Sequence, residues 1–266
     1  MSRPLALVTG ASAGIGQSFA EQLAGSGHDL IVVARRRDRL EALAERLGAT
    51  HKTEVEVLAA DLSTTGGIDA VAARAADAPL ALVVNNAGFG GYGPFVELDP
   101  KVADDLISVH IRAVVHITRA ALPGMVRRGH GGIVNVASLL ALSGTAAPGN
   151  DIPFRAVYGG AKAFLLAFTE LLAAELADTK VRVRVQVCLP GIVKTEFHEV
   201  QWIDASRIPV GMSPDDVARG SLAALARNEV VCIPALNDLA ALQRIGEAQR
   251  AVLAVALIPD LAGRYR

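Results

Sequence analysis

Short apolar runs rich in valine, isoleucine and leucine alternate along this chain with longer segments in which alanine and leucine recur at helical spacing. Runs that are apolar at nearly every position predict strands buried on both faces, and apolar residues three or four apart predict helices with one buried side. The predicted strands are residues 5–9, 30–34, 55–59, 80–85, 132–138, 181–189 and 229–233. The predicted helices lie near residues 14–24, 37–47, 66–77, 99–128, 157–177, 213–227 and 237–256.

This alternation predicts an α/β fold, with a doubly wound sheet of about seven parallel strands covered by helices on both faces, in a single domain over residues 1–266. The run VRVRVQV at 181–187 alternates and by itself favours a half-exposed strand. Its place in the series favours a central strand instead, with Arg182 and Arg184 near its start. Ligands of such sheets bind at the carboxyl ends of the strands, so the residues after each strand are the functional candidates.

Composition narrows the possible classes of protein. The chain has 266 residues, 52% of them hydrophobic, and its 26 basic and 27 acidic residues give a formal net charge of −1. It is too apolar for a disordered chain and too evenly charged to bind nucleic acid through bulk charge. The start leaves no room for a signal peptide, and the apolar run at 251–259 is too short to cross a bilayer. We expect a cytoplasmic protein that binds neither nucleic acid nor membrane, with Cys188 and Cys232 as buried thiols.

A glycine-rich turn, TGASAGIG, follows the first predicted strand directly. Glycines there permit a tight turn and a close approach of a pyrophosphate, and the helix that follows supplies free N–H groups and a positive dipole. The spacing G-x-x-x-G-x-G differs from the standard G-x-G-x-x-G fingerprint, so a purely structural turn is the alternative. The candidate phosphate-binding residues are Gly10, Ser12, Ala13, Gly14, Ile15 and Gly16.

TGASAGIG resembles the cofactor loop of the short-chain dehydrogenase/reductase family. Five further motifs follow in the family's order: Asp61-Leu62, NNAG at Asn85–Gly88, Ser138, YGGAK at Tyr158–Lys162, and PGIVKT at Pro190–Thr195. The resemblance covers residues 5 to about 195. It implies a Rossmann-type, nicotinamide-dependent oxidoreductase that acts on a carbonyl or alcohol group of a small molecule.

The end of the second strand predicts which nicotinamide cofactor binds. The sequence reads ARRRD there, with Arg35 where an NAD-binding member would have an acid, followed by Arg36. A guanidinium matches phosphate geometry and keeps its charge, so this pattern favours NADP(H) over NAD(H). The alternative is an ordinary solvated helix start.

The resemblance implies further cofactor contacts. Asp61 and Leu62 would lie by the adenine, and Asn86, Ala87 and Gly88 would line another side of the cofactor. Asn and Gly also suit a tight turn at the end of a strand, so a structural role is the alternative. After the sixth strand, Pro190 and Gly191 precede Ile192 and Thr195, which would contact the nicotinamide carboxamide.

Tyr158 and Lys162 are four positions apart in a helical segment, so their side chains project from one face. A carbonyl that receives a hydride needs a proton on its oxygen, and a tyrosine supplies one at neutral pH only if a nearby cation lowers its pKa. The resemblance makes Tyr158 the acid–base, Lys162 its activator and ribose ligand, and Ser138 the group that anchors the carbonyl oxygen.

The chain departs from the family at two positions. His110 stands where the family has an asparagine that holds a relay water, and it is either a plain helix residue or a replacement that bonds the water or shuttles protons. Twenty positions separate Ser138 from Tyr158, a longer interval than usual, and Ser143 within it is a second candidate for the serine role.

Aromatic residues predict a mainly apolar substrate pocket, with ordinary core packing as the alternative. They are Phe89, Tyr92 and Phe95 after NNAG, and Phe197 and Trp202 in a predicted lid at about 196–215. A C-terminal helical segment at about 237–266 is expected to cover the cleft or a second subunit, in a homodimer or homotetramer. The leading hypothesis is an NADPH-dependent carbonyl reductase. The alternatives are a non-redox epimerase or dehydratase and a non-catalytic NADP-binding regulatory protein.

Overall fold

A computed structural model describes residues 3–144, 155–179, 181–196, 211–256 and 261–266. Its internal contacts divide the chain into a large unit, Met1–Pro234, and a small one, Ala235–Arg266, whereas the sequence predicts one domain across 1–266. The small unit contains helix α8 (Ala240–Ala256) and a 3₁₀ turn at Gly263–Tyr265. The candidate functional residues all belong to the large unit.

The large unit is built on a sheet of seven parallel strands, as predicted. In space their order is β3-β2-β1-β4-β5-β6-β7. Strand β5 ends before Ser138, and β7 is shorter than predicted because only two of its residues pair with β6. The strands are β1 (Leu5–Thr9), β2 (Asp29–Ala34), β3 (Val55–Ala59), β4 (Leu80–Asn85), β5 (His130–Val136), β6 (Arg182–Cys188) and β7 (Val231–Cys232).

Helices cover both faces of this sheet, which confirms the predicted α/β class. One core cluster contains side chains of α1, α2 and α7, and the cluster on the opposite face contains side chains of α3, α5 and α6. The helices of the large unit are α1 (Gly14–Gly25), α2 (Arg37–His51), α3 (Thr65–Asp77), α4 (Pro100–Ile107), α5 (Ala113–Arg128), α6 (Ala156–Ala177) and α7 (Pro214–Ala226).

The long helix predicted at 99–128 is continuous but not uniform. A π-helical turn at Ser108–Arg112 joins α4 to α5. Asp99 caps its start by accepting a hydrogen bond from the Lys101 backbone N–H. The extra residue of a π turn rotates the side chains that follow, and such turns are frequent at functional sites. Here the turn carries His110.

Strand β6 matches the central position predicted for it, between β5 and β7. Its first part alternates, with Arg182 and Arg184 exposed, and the remainder is buried. Its last residue, Cys188, stands beside Cys232 of β7, and both thiols are free and buried. The helix predicted at 213–227 is capped at its start, because Ser213 Oγ accepts a hydrogen bond from the Asp216 backbone N–H.

A buried polar network crosses the middle of the sheet. Asn85 of β4 and Asn135 of β5 are register partners, and Asn85 Nδ2 donates to Asn135 Oδ1 at 2.9 Å. Asn85 also donates to Thr118 of α5, and Asn135 donates to Thr169 of α6. The network therefore connects the two central strands to the helices on one face.

By length and apolar composition, α6 is the one helix of the described part of the chain that could span a membrane. It packs against β6, and its buried face carries Tyr158 and Lys162. A helix that buries charged and polar side chains against a sheet is a core helix of this fold.

Candidate active site

The site lies where the strand order reverses, between β1 and β4. Chain connections leave these two neighbours in opposite directions, which opens a crevice at their carboxyl ends. Thr9 Oγ1 accepts hydrogen bonds from the backbone N–H groups of Asn86 and Ala87, and Asn86 Nδ2 donates to the Thr9 carbonyl oxygen. The asparagines of NNAG thus hold the strand ends together, which is the structural role that the sequence left open.

The glycine-rich turn fits tightly against this junction. Gly10 and Gly14 have φ of +70° and +57°, which other residues rarely adopt. A Cβ atom at Gly10 would lie 2.7 Å from Asn86 Nδ2, and one at Gly16 would collide with the Gly10 carbonyl oxygen. Ala13 precedes α1, and no side chain caps the helix. The first N–H groups of α1 are therefore suited to an anion such as a dinucleotide pyrophosphate.

Arginine side chains lie beside this turn. Arg36 donates two hydrogen bonds to Ser12 Oγ, at 3.0 and 3.2 Å, and one to Glu196 Oε2 at 3.1 Å. Arg39 donates to both oxygens of Glu196 at 2.9 Å. Arg36 and Ser12 were predicted from the sequence, whereas Arg39 and Glu196 were not, because no local pattern connects Glu196 to arginines so far away in the chain.

Asp61, at the end of β3, accepts a hydrogen bond from the Ser63 backbone N–H at 2.9 Å. Although partial burial opposes the shift, hydrogen bonds from Ser63 and the charge of Arg35 hold the pKa of Asp61 below its usual range. The carboxylate therefore lies within electrostatic range of Arg35, which is predicted to bind phosphate. The side chain of Leu62 is buried in the core, so only its backbone is available to a ligand.

Ser138, Tyr158 and Lys162 converge beyond the end of β5. Tyr158 and Lys162 lie in the first two turns of α6, and both are buried. The Tyr158 hydroxyl is hydrogen-bonded to Ser138, and Lys162 Nζ lies 5.6 Å from the centroid of the Tyr158 ring. The Lys162 ammonium donates to the Val136 carbonyl oxygen at 3.0 Å. This places a hydroxyl anchor, a phenol and a cation together, as the sequence predicts.

Burial dominates the electrostatics of these groups. It raises the pKa of Tyr158 and lowers the pKa of Lys162 to about 7. Both shifts describe the protein without a bound ligand, in which each charged form lacks water. A ligand that hydrogen-bonds the ammonium would restore its charge and so favour the Tyr158 phenolate.

His110 lies in the π turn and packs edge to face on Tyr158, with ring centroids 5.5 Å apart. Its Nε2 lies 2.8 Å from the Phe89 carbonyl oxygen and 3.3 Å from the Phe89 backbone nitrogen, so the tautomer of the imidazole decides whether Nε2 donates or accepts there. Burial and the charge of Lys162 lower the pKa of His110 well below its usual range. The imidazole is thus neutral at pH 7 in the cofactor-free protein.

The aromatic residues predicted to line one pocket occupy different environments. Phe89 packs against the core and against His110, with ring centroids 5.9 Å apart. Tyr92 meets Tyr158 edge to face, and Phe95 is 67% exposed. Phe197 and Trp202, with most of the predicted lid, lie outside the described residues.

The segment after β6 borders the site and leads to the predicted lid. The Pro190 carbonyl oxygen accepts a hydrogen bond from the Leu139 backbone N–H, while Gly191 and Ile192 are exposed. Thr195 reaches the glycine turn, where a Cβ at Gly14 would lie 2.9 Å from the Thr195 methyl group. Backbone hydrogen bonds join residues 192 and 194 to Met212, and residues 214–215, predicted as lid, begin α7.

The longer interval after Ser138 begins with a 3₁₀ turn, Leu139–Leu142. Ser138 Oγ accepts a hydrogen bond from the Leu140 backbone N–H, while the Ser143 hydroxyl donates to the Leu140 carbonyl oxygen and accepts from Arg155. Of the two serines, Ser138 is the one bonded to Tyr158. Residues 145–154 lie outside the described part.

Comparison with known proteins places this arrangement in a family. The sequence matches the model of the short chain dehydrogenase family over residues 4–204. It is similar to an NADP-dependent 3-hydroxy acid dehydrogenase of Shigella flexneri, with 35% identity over 74% of this chain and 76% of that protein. The fold is similar to that of a short-chain dehydrogenase from Sphingobium yanoikuyae in complex with NADPH (TM-score 0.92, 33% identity, 99% and 100% of the two chains).

A further similar structure is a bulky-bulky ketone specific alcohol dehydrogenase from Comamonas testosteroni. Its TM-score is 0.88 at 28% identity, over 100% of this chain and 99% of that one. The family match covers three quarters of the sequence, including the glycine turn and the Ser138, Tyr158 and Lys162 cluster. This chain belongs to the short-chain dehydrogenase/reductase family of nicotinamide-dependent oxidoreductases.

Proposed function

We propose that this protein is an NADPH-dependent carbonyl reductase, reversible as an alcohol dehydrogenase, that acts on an apolar ketone or secondary alcohol. The observation that carries the proposal is the convergence of Ser138, Tyr158 and Lys162 at one edge of the sheet, next to a glycine turn that fits a dinucleotide.

Arg36, Arg35 and Ser12 would hold the 2′-phosphate of the cofactor, and the N–H groups of Gly14, Ile15 and Gly16 at the start of α1 would hold its pyrophosphate. Asp61 would lie near the adenine, and Ala87 and Gly88 along the nicotinamide half. Ile192 and Thr195 would orient the carboxamide. When bound, the cofactor supplies or accepts the hydride.

Residues of the protein bind the substrate oxygen and exchange a proton with it. Ser138 donates a hydrogen bond to the carbonyl oxygen and fixes its orientation. The Tyr158 O–H bond breaks as that oxygen acquires its proton, and the phenolate left on Tyr158 is stabilised by the charge on Lys162. In alcohol oxidation the same groups act in reverse.

His110 would take the place of the family's asparagine. In the tautomer that donates Nε2–H to the Phe89 carbonyl oxygen, the neutral imidazole would present Nδ1 as an acceptor for a water that connects Lys162 to solvent. A substitution of His110 by alanine that left kcat and its pH profile unchanged would contradict this role.

An apolar and bulky substrate is supported by Tyr92 and Phe95 on the segment after NNAG and by the similar ketone-specific enzyme. The family's two-fold packing of long helices supports a homodimer or homotetramer, with α6 exposing Leu171. We expect the enzyme in the cytoplasm, with segment 196–215 as a lid.

The experiment that tests the function follows NADPH oxidation by the purified protein with a panel of ketones, aldehydes and quinones. Turnover that Tyr158→Phe lowers by at least about 1000-fold, with NADPH binding retained, supports the reductase. Tight NADPH binding without turnover would contradict it and favour a non-redox or regulatory member of the family.

A further inference from the structure

Arg155 joins the two described ends of the interval between Ser138 and Tyr158. Its Nε donates a hydrogen bond to Ser143 Oγ at 3.0 Å, and its Nη2 donates to the Ser143 carbonyl oxygen at 3.4 Å. Both residues are partly buried. The sequence suggested Ser143 only as a second candidate for the serine role and gave Arg155 no role, so the contact between them is unassigned.

The Ser143 end of this contact is attached to Ser138. The Ser143 backbone N–H and hydroxyl both donate to the Leu140 carbonyl oxygen, at 3.1 and 2.7 Å, and so close the 3₁₀ turn. The Leu140 backbone N–H donates to Ser138 Oγ at 3.2 Å. Because each of these bonds spans only two or three residues, Ser138 and Ser143 belong to one compact turn.

The Arg155 end is attached to Tyr158. The Arg155 carbonyl oxygen accepts a hydrogen bond from the Gly159 backbone N–H at 2.7 Å, in the first turn of α6. A Cβ atom at Gly159 would lie 3.4 Å from Arg155 Cγ and 3.8 Å from the Leu140 carbonyl oxygen, so the helix, the arginine stem and the 3₁₀ turn pack closely. The contact between Arg155 and Ser143 therefore connects the turn that follows Ser138 with the helix that carries Tyr158.

The position of Arg155 is otherwise unfavourable for a cation. It directly precedes α6, at the positive end of the helix dipole, and its side chain makes no capping hydrogen bond to the helix. A guanidinium holds its nitrogens in one rigid plane and can donate to two oxygens of one residue, whereas the ammonium of a lysine is a single point on a flexible stem. The residue type thus suits the contact with Ser143 and not the start of a helix.

The chemistry requires an accurate placement of the two hydroxyl groups. Ser138 would anchor the carbonyl oxygen that Tyr158 protonates, and a misplacement of about 1 Å can slow such a reaction about 100-fold. A longer connecting segment restrains its two ends less than a short one. An interval of twenty positions therefore benefits from a second link between its ends.

We propose that Arg155 is a positioning residue, which through Ser143 fixes the Ser138 hydroxyl relative to Tyr158 across the lengthened interval. Arg155 acts through these residues and exchanges no proton with the substrate. This inference rests on the proposed function, because it requires Ser138 and Tyr158 to act on one substrate oxygen.

Arg155→Met keeps a long unbranched stem and removes both donors. We expect kcat for ketone reduction to fall about tenfold, and Kd for NADPH to stay unchanged because the residues proposed to bind the cofactor remain in place. Arg155→Lys keeps the charge without the fork and should lose nearly as much, so full activity in this variant would overturn the proposal. Arg182→Met, which changes an exposed arginine at the start of β6, is the control and should leave kcat unchanged.

A Ser138→Ala background separates positioning from a general loss of stability. Once the serine hydroxyl is absent its position no longer matters, so Arg155→Met should then lower kcat by less than about twofold. A weakened fold would instead lose the same factor in both backgrounds. Equal losses in the two backgrounds, or an unchanged kcat in the Arg155→Met single variant, would overturn the proposal.

Amide hydrogen exchange in the cofactor-free protein tests the contact without turnover. Arg155→Met should speed the exchange of the Leu140 and Ser143 amides about 5- to 10-fold relative to Arg182→Met, because the turn loses its link to α6. Unchanged exchange overturns the inference even if the enzyme is active. Faster exchange in a protein that binds NADPH without turnover overturns the proposed function and the catalytic use of the contact, but not the contact itself.

Discussion

The carboxylate of Glu196 accepts a hydrogen bond from Arg36 Nη1 at 3.1 Å, although 160 positions separate the two residues in the sequence. The same carboxylate binds Arg39, and hydrogen bonds from Arg39 and Arg36 hold the pKa of Glu196 below its usual range. These side chains are each nearly half exposed, so each ion pair contributes at most about 1 kcal/mol. Glu196 thus occupies the guanidinium of Arg36, which is proposed to bind the cofactor phosphate.

Replacing the Glu196 carboxylate should strengthen the binding of NADPH, which carries an extra phosphate. In Glu196→Gln the guanidinium groups no longer have to leave a carboxylate, so we expect Kd for NADPH to fall about 2- to 5-fold and Kd for NADH to stay unchanged. Fluorescence titration of both cofactors measures the difference. Glu41→Gln is the matched control, since Glu41 pairs with Arg37 at the surface. A similar gain for both cofactors would contradict the role of Glu196.

Arg36 and Arg37 should differ in their effect on cofactor preference. Arg36→Ala should lower kcat/KM for NADPH by about 10- to 100-fold relative to NADH, because a hydrogen bond to a charged phosphate contributes about 1.5 to 3 kcal/mol. Arg37→Ala, one position further along, removes an exposed guanidinium paired with Glu41 and should change the ratio little. Equal kcat/KM for the two cofactors in the unmodified enzyme would be inconsistent with NADP preference.

Lys162 makes the stability of the cofactor-free protein depend on pH. Burial lowers the pKa of Lys162 to about 7 in the folded state, against an ordinary value of 10.5. Between these values the unfolded chain binds a proton that the folded chain lacks, so folding stability rises as pH increases from about 7 to 10, by at most about 1.4 kcal/mol per unit. Urea unfolding of the wild type and of Lys162→Met across this pH range measures how the free energy of unfolding depends on Lys162. A difference between the two proteins that does not vary with pH would rule it out.

Substitutions of the two serines after β5 should have different effects on kcat. Ser138→Ala removes the hydroxyl bonded to Tyr158, and we expect kcat to fall about 100-fold or more, as for loss of one oxyanion donor. Ser143→Ala removes a hydroxyl bonded to Leu140 and Arg155, so kcat should change far less. Steady-state kinetics with NADPH compares them, and a larger loss in Ser143→Ala would exchange their roles.

Gly88 and His110 should show energetic coupling. A Cβ atom at Gly88 would lie 2.5 Å from His110 Cε1, so Gly88→Ala displaces the imidazole and should lower the free energy of unfolding by about 1 to 3 kcal/mol. The double variant Gly88→Ala/His110→Ala removes the collision, and its loss should be smaller than the sum of the single losses. Additive losses would mean that the imidazole of His110 does not restrict the size of the side chain at position 88.

Strands β1 to β4 and helix α7 were predictable because their signals are local: continuous apolar runs, and Ser213 followed by Pro214 at a helix start. The Ser138, Tyr158 and Lys162 cluster was predictable because parallel strands bring their ends to one edge. The contact of Tyr92 with Tyr158 and the pairing of Glu196 with Arg36 depend on distances between remote segments, and the π turn at His110 interrupts a helix whose apolar pattern continues on both sides. No period or spacing in the sequence encodes them.

The hydrogen bond between Asn85 and Asn135 has a consequence for how the chain selects its alignment. Apolar strands shifted by two residues keep every side chain on its own face, so hydrophobic burial alone does not distinguish the two alignments. Such a slip of β5 against β4 would break the bond from Asn85 and leave the Asn135 Oδ1 acceptor buried without it, at a cost of about 1 to 3 kcal/mol. Asn86 and Ser138 follow these two asparagines closely in the sequence. The amide pair therefore also fixes the position of Ser138 relative to the glycine turn. The positions of the reacting groups thus depend on a hydrogen bond in the interior of the sheet.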